Sequence, residues 1–459
     1  MPSPFHNIDL ASRALRAFQY AISTTGNNIA NVNTRGYSRQ AVDIVATDPV
    51  NFWSNGMRSL GTGVNVSSIN RIRDMFLDGR MQQASSELAS HSEKAQSLES
   101  VLAVMNEPGA DGIQSALSKF FDSWSGLASN PAEAANRMAV QTSGRNLTSK
   151  IRTAYQQMSG EVANINAQIT TTIDQINQLG LQIGKLNEEI RAQTAAGGTP
   201  NSLFDARDLA LKDLSSLVNV STTMNLDNTV NVFVSEYTLV DAAGNRPMPT
   251  TFDATAQTVT GWLVPVNIRG GKLAGLMQSA QTFDAQMANL DSLANTLKAS
   301  VNAIHTVGIT KTAATNVLFF NDANPQTGAI DFDLSSAVSS DFNNIATGST
   351  SAQADVILAQ QIRDLRQTPQ AGLGNRSVFD FHRENVAQIG SQKSYFSSQA
   401  STQSAIIEQT DQQQQAVSGV NLDDEMANLL RYQRSYQAAA KALTIFDQVT
   451  EDLIGMLRR

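Results

Sequence analysis

One run of apolar residues, spaced by alternating threes and fours, constrains this chain more than any other feature. It comprises Ile151, Tyr155, Met158, Val162, Ile165, Ile169, Thr172, Ile176, Leu179, Ile183, Leu186 and Ile190. Only Thr172 is polar. Such spacing puts one stripe on one helix face, the seam of a helix packed against another helix. At about 1.5 Å per residue the seam predicts a rod roughly 60 Å long. The breaker "AAGGTP", ending at Pro200, stops it.

The same spacing recurs. Leu273, Leu276, Ala280, Phe283, Met287, Leu290, Ala294, Leu297, Val301 and Ile304 form a second long seam without a polar break, entered at Gly270-Gly271. Leu88, His91, Ala95, Leu98, Leu102 and Met105 form a shorter one, closed by Pro108-Gly109. Each end of the chain carries its own. Ile8, Ala11, Leu15, Phe18, Ile22, Thr25, Ile29 and Val32 run to Gly36, a natural helix stop. Leu429, Tyr432, Tyr436, Ala439, Leu443, Phe446, Thr450, Leu453 and Leu457 close the chain. Asn421 is a suitable N-cap for that last helix. Asp423, Asp424 and Glu425 lie in its first turn and Arg458-Arg459 at its far end, each at the favourable dipole pole. No proline follows Pro369, so "DQQQQ" (411–415) reads as helix in preference to hinge.

Other stretches alternate with period two. Val218 to Ile268, including "VNVFVSEYTLVDA" and "WLVPVNI", predicts a small sheet with a turn at Asn225–Asn228. Short strands are expected near Ala41–Ile44 and Val64–Ile69, separated by "NFWSNG" and "GTG". Residues 321–350, rich in Asn, Asp, Ser and Gly, read as loop or edge strands. The order of elements lets the two ends pair, so that the chain leaves and returns along one axis.

Composition narrows the function classes. The 459 residues suggest about three domains. A net charge of −8 argues against a nucleic-acid partner and leaves no polybasic patch for anionic lipid. No window approaches the ~18 apolar residues of a membrane span, so no membrane insertion is expected. The first twenty residues hold no apolar core of signal-peptide length, which predicts export without a cleaved signal. There is no cysteine, hence no disulfide, thiolate metal site or thiol nucleophile. A chain that crosses compartments unfolded would benefit from that lack; chance accounts for it equally simply.

Ile22 to Gln40, "ISTTGNNIANVNTRGYSRQ", is the unusual stretch. No charge occurs from Ala17 to Thr34, although the spacing is helical. Gly and Asn each cost a helix roughly 0.5–1 kcal/mol relative to Ala, so this helix is poor in isolation. One side can pair with the carboxy-terminal seam. The others are small, neutral and able to hydrogen bond, a surface suited to neighbouring copies of the same helix, where a charge would be stranded. Both ends are therefore expected to be weakly ordered in the free chain and to fold on assembly. Solubility supplied by Asn and Thr is the simpler alternative.

These residues also carry a resemblance. "GNNIANVNTRGYSRQ" (26–40) and "SGVNLDDEMANLLRYQRSYQAAAKAL" (418–443) resemble the terminal motifs of bacterial flagellar rod, hook and hook-associated proteins. "RIRDMFLDGRMQ" (71–82), "LFDARDLALKDLSSLVNV" (203–220), "GGKLAGLM" (270–277) and "LDSLANTLKASVNAIHTVG" (290–308) narrow this to the hook–filament junction family, over nearly the whole chain. The resemblance implies a mainly α, flagellin-like fold: a long antiparallel helical bundle or coiled coil made by the amino- and carboxy-terminal halves, with a central β-rich outer domain. The implied domains are a terminal coiled-coil domain (1–70 with 420–459), a long-helix rod domain (71–215 with 271–308 and 351–419) and a small β-rich outer domain (216–270 with 309–350). It implies an extracellular structural subunit, exported by the flagellar type III system and polymerised by pairing of its terminal helices. Implied partners are identical copies in a ring, the hook protein, the second junction protein, and an export chaperone at the carboxy-terminal helix region. Relatives carry a large insertion after the segment matching "VLFF" (317–320), and this chain keeps only about thirty residues there.

On that reading the assembly interface comprises Ile22, Asn27, Asn28, Ile29, Asn31, Thr34, Gly36, Tyr37 and Arg39, with Asp424, Glu425, Leu429, Leu430, Tyr432, Gln433, Tyr436 and Leu443. Local capping or loop chemistry is the competing role for the polar ones, Thr34 and Gly36 above all. No catalytic, cofactor or metal site is expected. His6, His91, His305 and His382 lack ligand spacing, and neither "GTGVNV" nor "IRGGKLAG" is a phosphate loop. Three rivals stay open: another axial component such as a distal rod or hook protein, a secreted adhesin or tip protein, and an enzyme on a helical stalk.

Overall fold

The computed structural model describes residues 5–53, 57–261, 265–322, 328–350, 352 and 354–457. Trp262, Leu263 and Val264 of the expected strand, and the closing Arg458-Arg459, lie outside them. Helix makes up 64% of the described residues, so the mainly α class with small sheets holds. The chain divides into two compact units: Met1–Ser85, Ile176–Met248 and Gln403–Arg459 in one, Ser86–Gln175 and Pro249–Thr402 in the other.

The first unit begins with α1 (His6–Ala30). There follow β1 (Gln40–Ala46), a hairpin of β2 (Val50–Trp53) and β3 (Met57–Leu60), and β4 (Val64–Arg71), which returns antiparallel to β1. Asn51, Phe52 and Trp53 of "NFWSNG" thus lie in a hairpin strand, while Ser54, Asn55 and Gly56 lie outside the described residues. The helix α2 (Met75–Met105) starts here and passes into the second unit. The second unit then supplies α3 (Ile113–Ser129) and the first part of α4 (Ala134–Ala195). Eight of the twelve seam positions of α4 are buried, Ile151, Met158, Ile165, Ile169, Thr172, Ile176, Ile183 and Ile190, while Tyr155, Val162, Leu179 and Leu186 are half-buried. The helix is longer than its seam because it begins seventeen residues before Ile151. It ends as expected, with Gly197 at φ +80° and the Gly198 amide donating to the Gln193 carbonyl.

Back in the first unit, α5 (Asn201–Leu217) leads to an antiparallel sheet of β5 (Val220–Met224), β6 (Val230–Val234), β7 (Tyr237–Asp241) and β8 (Gly244–Asn245). Asn225–Asn228 forms the expected turn, with Asn228 left-handed. Two asparagines of α4 seat this sheet by imitating a neighbouring strand. Asn187 donates to the Val230 carbonyl at 2.8 Å and accepts from its amide at 3.1 Å. Asn177 does the same for Met248, at 2.8 and 2.6 Å. Period-two patterning was expected to build one sheet to Ile268. The structure has two, in different units. The second consists of β9 (Phe252–Asp253), β10 (Thr258–Val259) and β11 (Val266–Asn267).

The second unit continues with α6 (Gly271–His305), α7 (Ser336–Ser340) and α8 (Ile357–Asp364). Eight of the ten seam positions of α6 are buried; Met287 and Ile304 are half-buried. The described residues of the polar stretch 321–350 hold α7, a 3-10 turn at Phe342–Asn344 and isolated bridges at Leu334 and Gly348, where edge strands were an option. It is compact because aromatic side chains anchor it. Phe319, Phe320 and Phe332 pack with Phe120, Phe121 and Trp124 of α3, all fully buried. Asn302 bonds the amides of Phe319 and Phe320 and the Phe320 carbonyl.

His305 lies in this core and is neutral by construction. Its Nε2 accepts from the Ala346 amide at 2.9 Å, which leaves Nδ1 to donate to the Val317 carbonyl at 2.6 Å. Burial, with the Arg137 charge nearby, pushes its pKa down to about 4. The unfolded chain binds a proton below about 6.5, so the folded state keeps this stability above that pH and loses it as pH falls towards 4. The expected loss is roughly 3 kcal/mol. Urea titrations of the second-unit signal at pH 7 and pH 4 check it. His305→Asn should remove most of that pH dependence, and an unchanged slope would refute this assignment.

The chain closes with α9 (Val378–Ser418), unbroken through 411–415, and α10 (Leu422–Leu457). Among the described residues no helix is long and apolar enough to cross a membrane.

Candidate assembly interface

The terminal seams do meet: α1 packs along α10. The last turn of α1 touches the first turn of α10 through Asn28 and Glu425, as an antiparallel pair requires. Spacing located the contact face of α1 only approximately. Its buried residues are Ala11, Ala17, Ala21, Thr24, Thr25 and Asn28, while the bulky seam members Ile8, Leu15, Phe18, Ile22 and Ile29 are half-buried. A single partner helix covers only a narrow stripe. Small residues occupy the line of closest approach and large ones flank it.

Helix α1 also ends six residues before Gly36, because its own asparagines take over the backbone. Asn31 donates to the Asn27 carbonyl at 3.0 Å and its side-chain oxygen at 2.9 Å, and Thr34 donates to Asn31 at 3.1 Å. Gly36 instead makes the left-handed turn into β1 at φ +83°, where a Cβ would meet Leu209 at 3.2 Å.

Asn28 is the centre of the joint and is 1% exposed. Its amide nitrogen donates to the Gln40 carbonyl at 2.9 Å and to Glu425 Oε2 at 3.1 Å. Its oxygen accepts from the Tyr37 hydroxyl at 2.8 Å and the Gln40 amide at 3.0 Å. All four hydrogen-bonding positions are used. Arg39 closes the other side, with Nε 2.7 Å from Glu425 Oε1 and its backbone amide donating to the Ser418 carbonyl. Asn421 caps α10 by accepting from the Asp423 amide at 3.0 Å. The Tyr37 pKa rises to about 12, from burial first and then from the charges of Asp205 and Glu425.

Charged residues that periodicity cannot detect extend the joint. Arg71 reaches Asp205 at 2.8 Å and Asp208 at 2.9 Å; Arg73 reaches Asp208 at 3.0 Å and Asp78 at 2.5 Å. Gln414 of α9 donates to Asp78 at 2.7 Å, and the Ser38 amide donates to Asp205. "RIRD" and "DARD" are concentrated charge in a chain with 16% charged residues, and that was the available signal.

The structure therefore brings Asn27, Asn28, Asn31, Thr34, Tyr37, Arg39 and Glu425 into one hydrogen-bonded joint within a single chain. Ile22, Ile29, Leu429, Tyr432 and Leu443 are half-buried, and Gly36, Asp424, Leu430, Gln433 and Tyr436 are exposed. Apolar side chains of α10 stay exposed in two i, i+4 clusters on different sides of the helix, Leu422, Met426 and Leu430 near its start and Ile445, Val449 and Leu453 near its end, each 46–52% exposed.

Among the described residues no group of three His, Asp or Glu side chains is placed to hold a metal. The histidines have packing partners. His382 faces Glu107 at 3.2 Å in the interior, and His91 stacks on Phe396.

Comparison with known proteins agrees with this arrangement at each level. Residues 8–37 match the model "Flagella basal body rod protein", and residues 403–456 match "Flagellar basal body rod FlgEFG protein C-terminal". A paired-terminus chain with these two segments is a flagellar axial protein. Residues 98–320 match "Flagellar hook-associated protein FlgK helical domain". The chain is 28% identical to flagellar hook-associated protein 1 of Bacillus subtilis, covering 99% of each chain. It is 26% identical to that of Salmonella typhimurium, over 98% of this chain and 99% of the relative. The solved flagellar hook junction protein FlgK of Burkholderia pseudomallei shares the fold, with TM-score 0.59 and 17% identity over 74% of this chain and all of that one. The chain belongs to the flagellar hook-associated protein 1 family.

Proposed function

We propose that this chain is a structural, non-enzymatic subunit of the junction between flagellar hook and filament. It leaves the cell unfolded through the flagellar type III system, without a cleaved signal. It polymerises as a ring of identical copies through its paired terminal helices, between the hook protein and the second junction protein. An export chaperone holds the carboxy-terminal helix region beforehand. In the ring the terminal pair lines the tube.

The observation that carries this reading is the exposed apolar residues of α10. Six large side chains in two clusters, each about half exposed, lie on a helix whose long partner among the described residues is α1. Covering them releases roughly 6 kcal/mol at ~1 kcal/mol each, enough to drive association once copies are concentrated at a growing end. The seventeen interface residues then divide by role. The joint residues hold the pair in shape, and Leu430, Gln433, Tyr436 and Asp424 meet the neighbour. The match over 98–320 weighs against a distal rod or hook protein, whose resemblance covers the two termini.

Imaging a strain that lacks this gene tests the role. Hooks without filaments, with filament protein lost to the medium, are expected. Normal filaments, or loss of the hook itself, would overturn it.

A further inference from the structure

A second feature lies far from the termini in sequence. Within the second unit, α2, α6 and α9, with Gln257 between β9 and β10, line an open cleft of about 560 Å³. Amides predominate in its lining, beside Leu98, Thr282, Ala285, Ile389 and Phe396. Eight side chains are Asn or Gln, and Lys94 is the one charged residue among them. The floor is already ordered: Asn385 donates to Gln286 at 2.7 Å, and Asn289 donates to Asn385 at 3.2 Å. The rim is not. The side-chain amides of Gln278, Gln388 and Gln392 have no hydrogen-bond partner among the described residues.

Aromatic rings stand at one end. Phe396 lines the cleft, with His91 stacked at 5.8 Å and Lys94 Nζ at 5.0 Å from its ring centroid. Tyr395 stands outside the lining, beside this end of the cleft, meeting Phe396 edge-on at 5.2 Å and 57% exposed. Its hydroxyl has no partner among the described residues.

This lining selects by exclusion. A cation finds no carboxylate. An anion finds only Lys94, whose charge is turned towards Phe396 and disfavoured by burial. A purely apolar ligand would strip water from amides and return no hydrogen bonds. Each free amide offers two donors and an acceptor side by side, the complement of neighbouring hydroxyl groups, and an exposed tyrosine offers an apolar face with a polar tip. We propose that this cleft binds a neutral carbohydrate of about disaccharide size, held by the amides of Gln278, Gln388 and Gln392 with one sugar face against Tyr395.

Saturation-transfer NMR and titration calorimetry on the full chain test this, with chitobiose and maltose as neutral probes and digalacturonic acid as the charged control. Binding of at least one neutral probe with Kd of about 0.1–1 mM is expected, with no comparable signal from the acid. Gln388 and Gln392 are exposed, so the double variant Gln388→Ala/Gln392→Ala should keep its circular dichroism spectrum and bind at least tenfold more weakly. Tyr395→Ala should also weaken binding. Silence from both neutral probes up to about 10 mM, equal binding of the acid, or affinity unchanged in the double variant would each overturn the proposal. Flagellar assembly is read separately, so neither result decides the other.

Discussion

Leu430→Asp and Val449→Asp should each yield a well-folded monomer that fails to enter the flagellum. Leu430 is 52% exposed and Val449 51% in the single chain, so a carboxylate there stays hydrated and costs the monomer little. In an assembly that covers α10 the same carboxylate must shed water without a cationic partner, at several kcal/mol. A penalty of about 3 kcal/mol lowers association more than a hundredfold, and every copy in the ring carries it. Circular dichroism of the monomer and immunogold labelling of flagella read the two halves of the prediction. Leu443→Asp is a less selective probe, because Leu443 is half-buried against the chain itself and its replacement also loosens the helix pair. Normal incorporation of both exposed-face variants would show that α10 is not the contact.

The second large effect is expected at Arg39. Arg39→Ala removes the one cation bonded to Glu425, whose side chain is 2% exposed, and leaves that carboxylate with the Asn28 amide alone. Breaking a buried pair from one side costs about 3–5 kcal/mol; Arg39 is 29% exposed, so the lower part of that range applies. Tyr37 and Gln40 depend on the same Asn28, so the loss spreads to the start of β1. Thermal unfolding should show the first unit melting earlier with the His305 core of the second unit unaffected. The double variant Arg39→Ala/Glu425→Gln, which no longer buries a bare charge, should recover much of the loss. Equal melting of wild type and Arg39→Ala would mean that the joint is held elsewhere.

How much of this was legible depended on where each side chain is satisfied. The seams of α4 and α6 were legible at most positions, such as Ile165 and Leu297, though Val162, Leu186 and Met287 are only half-buried and buried Ile173 lies off the α4 seam. The seam of α1 was legible as a helix but displaced as a contact, because one partner helix selects Ala17, Ala21 and Thr25 over Phe18 and Ile22. The neutral stretch from Ala17 to Thr34 pointed outward to neighbouring copies. The structure turns its polar core inward, with Asn28 spending every hydrogen bond inside the chain, and leaves the exposed apolar clusters on α10. Long-range polar pairs such as Arg71 with Asp205, or Asn187 with Val230, join positions that no local period relates. The single sheet expected up to Ile268 divided because Asn177 and Asn187 hold its first half on α4, while β9 to β11 fold with the second unit.

The central claim is that the paired ends, beyond their joint at Asn28 and Glu425, become rigid only beside sister copies, since α10 keeps two apolar clusters exposed in the lone chain. Hydrogen exchange on a dilute monomer, resolved by segment and repeated on the polymer, is its most direct test. The account predicts fast exchange along α1 and α10 away from the Asn28–Glu425 joint, against slow exchange in α6, with protection of both ends appearing on polymerisation. Protection of α1 and α10 in the dilute monomer equal to that of α6 would contradict it.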